Sequence, residues 1–308
     1  MNPELLLAAA IIAGTPILFA ALGELLSERA GVINLGLEGT MLVGAVAGFA
    51  ATAQTGSAWF GTAFAAFAAG LFGLLFAFLV ITLRMNQIVT GLAFTILGGG
   101  LSAYLGKPFI GTPVADVMAK PDFGALADLP FVGPAFFRHD ALVYLAVILA
   151  IAVSFYIWRT RYGLILRSLG ESPDVVDTLG MNVTLLRYVY VVVGTAFAGL
   201  GGAYLSLVYT PSWIENMTAG RGWIALALVI FASWRPMWLL AGAYLFGLVD
   251  ALRFRMQIGG DALISPYFLN MLPYVATIVV LVLMSSNRSR LKFGAPAALG
   301  TAYDRERR

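Results

Sequence analysis

Cysteine is absent from this chain of 308 residues, and histidine occurs once, as His139. Without cysteine, the protein has no disulfides, no thiolate metal ligands and no thiol catalysis. A single histidine also argues against a histidine-based metal site or proton relay. We therefore predict no metal site and no catalytic residue in this chain.

Charge is scarce as well. Only 11% of the residues are charged and 60% are apolar, whereas a soluble domain carries roughly a quarter charged residues. The apolar runs are long and continuous, which favours helices over the alternating strands of a membrane barrel. The predicted fold class is all-α: a polytopic helical membrane protein forming one transmembrane domain, 1–308.

Nine runs are long enough to be considered as membrane spans, although the seventh is short. They lie near residues 4–24, 38–56, 59–83, 87–105, 141–158, 185–208, 221–234, 236–252 and 267–285. The first run lacks a basic segment before it, so we expect a retained span. With nine spans, thirteen of the nineteen basic residues fall on one side. The positive-inside rule then predicts an outer N-terminus, a cytoplasmic C-terminus and a multi-pass protein of the cell (inner) membrane.

Two loops stand out between these spans. The segment 106–140 is rich in proline and aspartate and is predicted to form an external loop. The segment 159–184 is the one sizeable polar stretch between spans and is predicted to be cytoplasmic. Small residues such as Gly44 and Gly48, spaced four apart, are expected to let helices approach closely within the bilayer.

A short helix is predicted near the end of the second loop. Ser172 can accept hydrogen bonds from the first free amides of a helix, and Pro173 suits the first helical position. Asp174 favours the positive N-terminal end, and Gly180 suits a left-handed stop.

The apolar residues of this helix, Val175, Val176 and Leu179, are expected to bunch on one side. A helix of two turns is not stable alone in water. It must pack against this protein or against a partner, and an ordinary surface helix remains the alternative.

The segment 24–39 lies between two apolar runs, and its glycines interrupt helix periodicity. Asn34 and Glu38 place polar groups at the threshold of a span. One interpretation is a broken helix at membrane depth, which is tolerated where protein or water satisfies the freed backbone. The other is a plain turn in which Asn34 caps the next helix.

Several motifs together resemble the permease subunits of ABC importers. They are Gly31-Val-Ile-Asn-Leu-Gly-Leu-Glu-Gly39, Leu83-Arg-Met-Asn-Gln-Ile-Val89, Arg167-Ser-Leu-Gly-Glu-Ser-Pro173 with Gly180-Met181, and Leu228-Val-Ile-Phe-Ala-Ser-Trp-Arg-Pro236. Over most of residues 15–285 the chain is similar to the ribose/branched-chain amino acid permease superfamily. The resemblance is greatest to its nucleoside-uptake branch, which is associated with basic-membrane-protein-type binding lipoproteins.

This resemblance implies roles for two sets of residues. A cytoplasmic coupling helix that docks on the ATPase would include Gly170, Glu171, Ser172, Pro173, Asp174 and Gly180. A broken segment beside the translocation path would include Asn34, Gly36, Glu38 and Gly39. Some members of the family have alanine at the positions that Val175, Val176 and Asp177 occupy in this chain. The docking contacts are therefore expected to differ in detail.

The resemblance also implies partners: an ATP-binding cassette ATPase, a second homologous permease, an external substrate-binding lipoprotein and the lipid bilayer, but no nucleic acid. The phosphate-binding loop Gly-x-x-x-x-Gly-Lys-Ser/Thr is missing, because Leu101 and Pro108 replace its first and last residues around Gly106-Lys107. ATP and Mg²⁺ would therefore be bound by the partner, and this chain would be a transport subunit with no ATPase site or cofactor of its own.

An ion-coupled secondary transporter is the alternative class, for which Glu24 and Glu38 are the candidate ion-binding groups. Asp250, near Arg253 and Arg255, is explained by local pairing or snorkelling. The expected solute is a nucleoside, with simple sugars as the runner-up. Some aromatic residues could stack a base or belong to an interfacial belt: Phe94, Tyr104, Tyr204, Trp213 and Trp223.

Overall fold

The computed structural model describes residues 3–114, 116–258 and 294–304, together with single positions between 268 and 282. In this part of the chain the regular structure is helical, apart from two isolated β-bridges. The helices are α1 (Pro3–Arg29), α2 (Leu37–Thr55), α3 (Ala58–Ala77), α4 (Gln87–Gly106), α5 (Ala141–Arg159), α6 (Arg161–Glu171), α7 (Pro173–Thr178), α8 (Val183–Tyr204), α9 (Arg221–Phe231) and α10 (Pro236–Ile258). Five-residue π-helical turns extend α3 to Thr82 and α8 to Tyr209.

Six described helices are long and apolar enough to cross a membrane, namely α1, α3, α4, α5, α8 and α10. The helix α2 matches the predicted span 38–56 in its bounds but falls outside this set; Glu38 and Gln54 lower its hydropathy. The helix α9 has only 11 residues, so it is too short to span alone. The predicted run 267–285 lies outside the described ranges, and the count of nine stays a prediction.

The helices α1 and α8 form the centre of the molecule. They pack on each other, while α10 and α9 cover α1 and the helices α2 and α3 cover α8. Glycine pairs permit this packing, as the small-residue spacing predicted. A Cβ atom added at Gly44 of α2 would lie 2.5 Å from the Cα of Gly199, and one at Gly194 of α8 would lie 2.5 Å from the carbonyl oxygen of Gly23. Larger side chains would push these helices apart.

The loop 106–140, predicted to be external, contains three short helical turns. They are 3-10 turns at Lys107–Phe109 and Gly124–Leu126 and a π turn at Gly133–Phe137. Asp140 then caps α5, because its Oδ1 accepts hydrogen bonds from the amides of Leu142 and Val143.

Candidate functional site: a broken span and the loop beside it

The chain between α1 and α2 is an irregular segment, residues 30–36, and most of it is buried. The glycine that opens this break, Gly31, has a φ of +88°, a conformation that side chains other than glycine rarely adopt. The segment is a buried irregular link between α1 and α2, and the broken helix at membrane depth stays a prediction. Asn34 does not cap α2 directly; its Oδ1 accepts from the amide of Gly36, the residue before the helix.

Four side chains from three helices, α1, α4 and α8, satisfy the freed backbone of the break. The amide of Ile33 donates to Gln87 Oε1 and the amide of Asn34 donates to Glu24 Oε1, each at 2.8 Å. The carbonyl of Leu35 accepts from Thr95, and the carbonyl of Ala30 accepts from Arg187 Nε. Buried irregular backbone needs such partners, because an unpaired buried group costs about 1–3 kcal/mol.

The break places the start of α2 opposite the interior of α4. A Cβ at Gly36 would meet Phe94 at 2.7 Å, and one at Gly39 would meet the Cα of Thr95 at 2.8 Å. Phe94 is the eighth residue of the 20-residue helix α4. Because a helix rises 1.5 Å per residue, α2 begins about 10 Å along α4 from its first residue.

Glu38, in the first turn of α2, binds the N-terminus of α9 across 180 residues of sequence. Its Oε1 accepts from Thr218 Oγ1 at 2.6 Å and from the Gly220 amide at 2.7 Å, and its Oε2 accepts from the Gly222 amide at 2.6 Å. The first amides of a helix lack partners inside it and carry partial positive charge, so a carboxylate is a favourable cap there. Two helices, α2 and α9, are thereby joined at their N-termini.

The far end of α9 is tied to α1 by a second buried cluster. Trp234 Nε1 donates to Glu28 Oε2 at 2.5 Å, and Arg29 Nη2 donates to the Trp234 carbonyl at 2.9 Å. Ser233 and Trp234 both have positive φ angles, +48° and +54°. This is a strained conformation for residues other than glycine. The contacts with α1 hold the tight turn between α9 and α10.

All four residues predicted for the path are buried inside this chain: Asn34, Gly36, Glu38 and Gly39. They form the break and its joints with α4 and α9. Their place beside a translocation path stays a prediction.

The predicted aromatic residues divide into two groups. Phe94, Tyr204 and Trp213 are buried in the core, where they pack between helices, whereas Tyr104 is 78% exposed and Trp223 is partly exposed. Only the second pair therefore meets the surface of this chain.

Of the two candidate ion-binding carboxylates, Glu38 has the three donors described above. Glu24 holds the Asn34 amide through Oε1, while its buried Oε2 has no hydrogen-bond partner among the described residues. Asp250 pairs with Arg253 at 2.9 Å and with Arg221 at 3.5 Å, as the prediction of local pairing requires. Among the described residues, no group of three acidic, histidine or cysteine side chains could hold a metal ion.

The loop beside the break contains two helices that abut. The short helix α7 begins at Pro173 and ends before Gly180, whose φ is +78°, as predicted. The predicted capping role of Ser172 is wrong, because its side chain accepts no amide hydrogen bond. The amide of Ser172 instead donates to the carbonyl of Ser168 and completes the last turn of α6. Pro173, the first residue of α7, has no amide hydrogen to donate.

The predicted bunching of apolar residues on α7 is also partly wrong. Val176 is 1% exposed and packs with Pro173 against the protein, whereas Val175 and Leu179 are 52% and 75% exposed. Residues 173 and 176 lie three apart and share the inner face of the helix. Val175 and Leu179 lie four residues apart and face outward, so they form an exposed apolar pair.

The helix α6 was missed by the sequence analysis. Its signal is present, however: Gly163, Leu166 and Leu169 are buried at spacings of three, and Thr160 accepts from the amide of Gly163 as an N-cap. The residue before its end, Gly170, is buried against the carbonyl oxygen of Arg29 and against Pro296. Gly170 therefore joins the loop to the end of α1, whereas Glu171, Asp174 and Gly180 of the predicted coupling set are exposed.

The fold and this site define the class: a polytopic helical protein with six described helices long and apolar enough to cross a membrane, a buried break between α1 and α2, and a docked polar loop. Residues 6–284 match the model of the branched-chain amino acid transport system permease component, and the chain belongs to that family. The predicted resemblance to ABC permeases is confirmed.

Relatives align over nearly the whole chain. A putative glucose ABC transporter permease, TsgC13 of Haloferax volcanii, is 42% identical over 98% of each chain. The nucleoside ABC transporter permease NupC of Lactococcus lactis is 33% identical over 97% of this chain and 96% of its own. The guanosine ABC transporter permease NupQ of Bacillus subtilis is 32% identical over 99% of this chain and 98% of its own. No solved structure matches the chain.

Proposed function

We propose that this chain is the permease subunit of an ATP-driven importer of nucleosides. The observation that carries the proposal is the near full-length similarity to permeases named for nucleoside and guanosine transport. A broken span beside a docked loop supports it, because transporters place interrupted helices at their solute paths.

Glucose is the second candidate solute. A relative named for glucose transport is 42% identical, above the 32–33% of the nucleoside relatives. Both solutes are small and polar, and an external binding protein would select between them.

The proposed assembly pairs this chain with a second permease, two ATPase subunits and an external binding lipoprotein. ATP and Mg²⁺ would be held by the ATPase subunits, and this chain would have no ATPase site. Nine spans with an outer N-terminus would put α6 and α7 on the cytoplasmic side, where the ATPase is found.

The proposed mechanism starts at the exposed face of α7. Closure of the ATPase subunits on ATP would pull α7, and α6 would carry that movement to the end of α1 through Gly170. The break, with Asn34, Gly36, Glu38 and Gly39, would then shift relative to α4 and α9 and open the path. A differential affinity of a few kcal/mol between two states is enough to change their populations strongly.

The proposed docking of α7 on the ATPase is tested by placing a negative charge on the outer face of this helix. Leu179→Asp and Val175→Asp should abolish co-purification with the ATPase, because they place a carboxylate where an apolar contact is expected. Val117→Asp, at a residue 61% exposed in the loop 106–140, is the matched control and should assemble normally. Normal assembly and uptake with both α7 variants would refute the docking role.

The solute is tested with the reconstituted complex in vesicles. Uptake of labelled guanosine and of labelled glucose is compared with ATP inside, and the ligand of the binding lipoprotein is identified by mass spectrometry. ATP-dependent guanosine uptake supports the proposal, and glucose uptake alone supports the second candidate. Uptake driven by an ion gradient without any ATPase would refute the importer.

A further inference from the structure

The C-terminal segment, residues 294–304, is bound to both parts of the candidate site. The amide of Ala298 donates to the carbonyl of Gly170 at 2.8 Å, and the amide of Gly300 donates to the carbonyl of Gly31 at 3.1 Å. Two amides, two residues apart, thus connect the end of α6 to the start of the break. Backbone bonds of this kind fix the position of a segment independently of its side chains.

Two arginines hold the same segment from other elements. Arg187 of α8 donates through Nη1 to the Thr301 carbonyl at 3.0 Å, while its Nε donates to Ala30 in the break. Arg84, in the connection between α3 and α4, pairs with Asp304 at 2.6 Å. The C-terminal segment therefore contacts α6, α8, the break and the α3–α4 connection at once.

A cleft of about 610 Å³ lies between this segment and the start of α7. One wall is formed by Glu171, Pro173 and Asp174, and the facing wall by Ala297, Ala302 and Asp304. The cleft reaches the first turn of α7 at the exposed Asp174, which is next in the chain to Val175 of the face proposed above to meet the ATPase. Its described lining has three carboxylates and one arginine, Arg84, so it suits a cationic side chain of a partner.

We propose that the C-terminal segment 294–304 forms the second wall of the ATPase docking surface and carries its movement to the break. This inference rests on the proposed function. The helix α7 has six residues and offers only Val175 and Leu179 as large exposed apolar groups. The facing wall enlarges this surface, and its bonds to Gly170 and Gly31 link that surface directly to the interrupted span.

Docking is tested by labelling, because the natural chain has no cysteine to interfere. Ala302→Cys and Leu179→Cys are each treated with a maleimide in the permease alone and in the complete complex. Assembly should slow the labelling of both variants. Val117→Cys, in the loop 106–140, is the control and should label at one rate in both samples. Protection of Leu179→Cys without protection of Ala302→Cys would refute the second wall and leave the proposed function intact, whereas failure of the natural chain to bind any ATPase would refute the proposed function itself.

The link between the C-terminal segment and the end of α6 is tested by removing one amide. Ala298→Pro deletes the donor to Gly170, while Ala298→Gly keeps it and serves as the matched control. In the assembled complex we expect Ala298→Pro to hydrolyse ATP but to move about tenfold less solute per ATP, a loss typical of coupling between sites. Uptake per ATP equal to that of Ala298→Gly would refute the link.

A second pair of variants tests the coupling role of the C-terminal segment without a proline, which could disturb folding. Asp304→Arg reverses the charge that faces Arg84 on the surface, where folding depends little on it. Uptake per ATP should fall with Asp304→Arg and recover when Arg84→Asp is added. No loss with Asp304→Arg, or no recovery in the double variant, would count against the C-terminal segment as a coupling element.

Discussion

Glu38 and Gly222 join the N-termini of two helices: the carboxylate of Glu38 in α2 accepts a hydrogen bond from the Gly222 amide at the start of α9 at 2.6 Å. The same carboxylate holds the amide of Gly220 and the hydroxyl of Thr218. One side chain therefore provides the partners that the first turn of α9 lacks within its own helix.

Removing this carboxylate should destabilise the protein. Glu38→Ala leaves the buried Gly222 amide and the partly buried Gly220 amide without an acceptor, and hydrogen bonds to a charged group contribute about 1.5–3 kcal/mol each. We expect a lower thermal midpoint in detergent and a loss of uptake. Glu215→Ala, an exposed carboxylate shortly before α9, is the control and should change little. Equal midpoints for the two variants would contradict the capping role of Glu38.

Glycine packing predicts opposite outcomes for two alanine substitutions. Gly44→Ala places a Cβ 2.5 Å from the Cα of Gly199, so α2 and α8 must separate. Gly99→Ala, in α4, meets no atom within 4 Å and gains about 1 kcal/mol of helix propensity. The thermal midpoint should fall for Gly44→Ala and hold or rise for Gly99→Ala. If both variants fell alike, close approach at Gly44 would not explain the effect.

The indole of Trp234 donates a hydrogen bond to the buried carboxylate of Glu28. Trp234→Phe keeps the ring but removes the donor to Glu28, which should cost about 1–3 kcal/mol of stability. Trp238→Phe, at a residue 64% exposed on α10, is the matched control and should be nearly neutral. Restoration of stability by Glu28→Gln in the Trp234→Phe background would confirm that the unpaired charge causes the loss.

The sequence predicted the helical class, the bounds of most spans and the short helix α7, because these depend on local signals: apolar runs, a proline at the first helical position and a glycine at the end. It could not predict where the break would find its partners. Gln87 and Arg187 lie far from residues 30–36 in the chain, and their contacts exist only after α4 packs on α2 and α8 packs on α1. The role of Glu38 was missed for the same reason. A carboxylate at the start of a span is typical of a path or an ion site, and nothing local indicates that an amide 184 residues away will bind it.

Asp140 predicts how the stability of the folded protein depends on pH. Its carboxylate caps α5 and accepts from Tyr204 at 3.3 Å, but burial is the largest influence and raises the pKa of Asp140 above its ordinary value. A carboxyl whose pKa is higher in the folded state favours folding while protonated. Its contribution is complete below the unfolded pKa, about 4, and is lost as the pH rises through the folded pKa.

The test compares Asp140→Asn with the natural chain across pH. The asparagine keeps an acceptor for the amides of Leu142 and Val143 but does not titrate in this range. The thermal midpoint of the natural chain should therefore fall relative to that of Asp140→Asn as the pH rises from about 4. Asp140→Ala removes the cap and should be less stable than Asp140→Asn at every pH, by about 1 kcal/mol. A difference between the natural chain and Asp140→Asn that stays constant with pH would show that desolvation of this carboxylate does not limit stability.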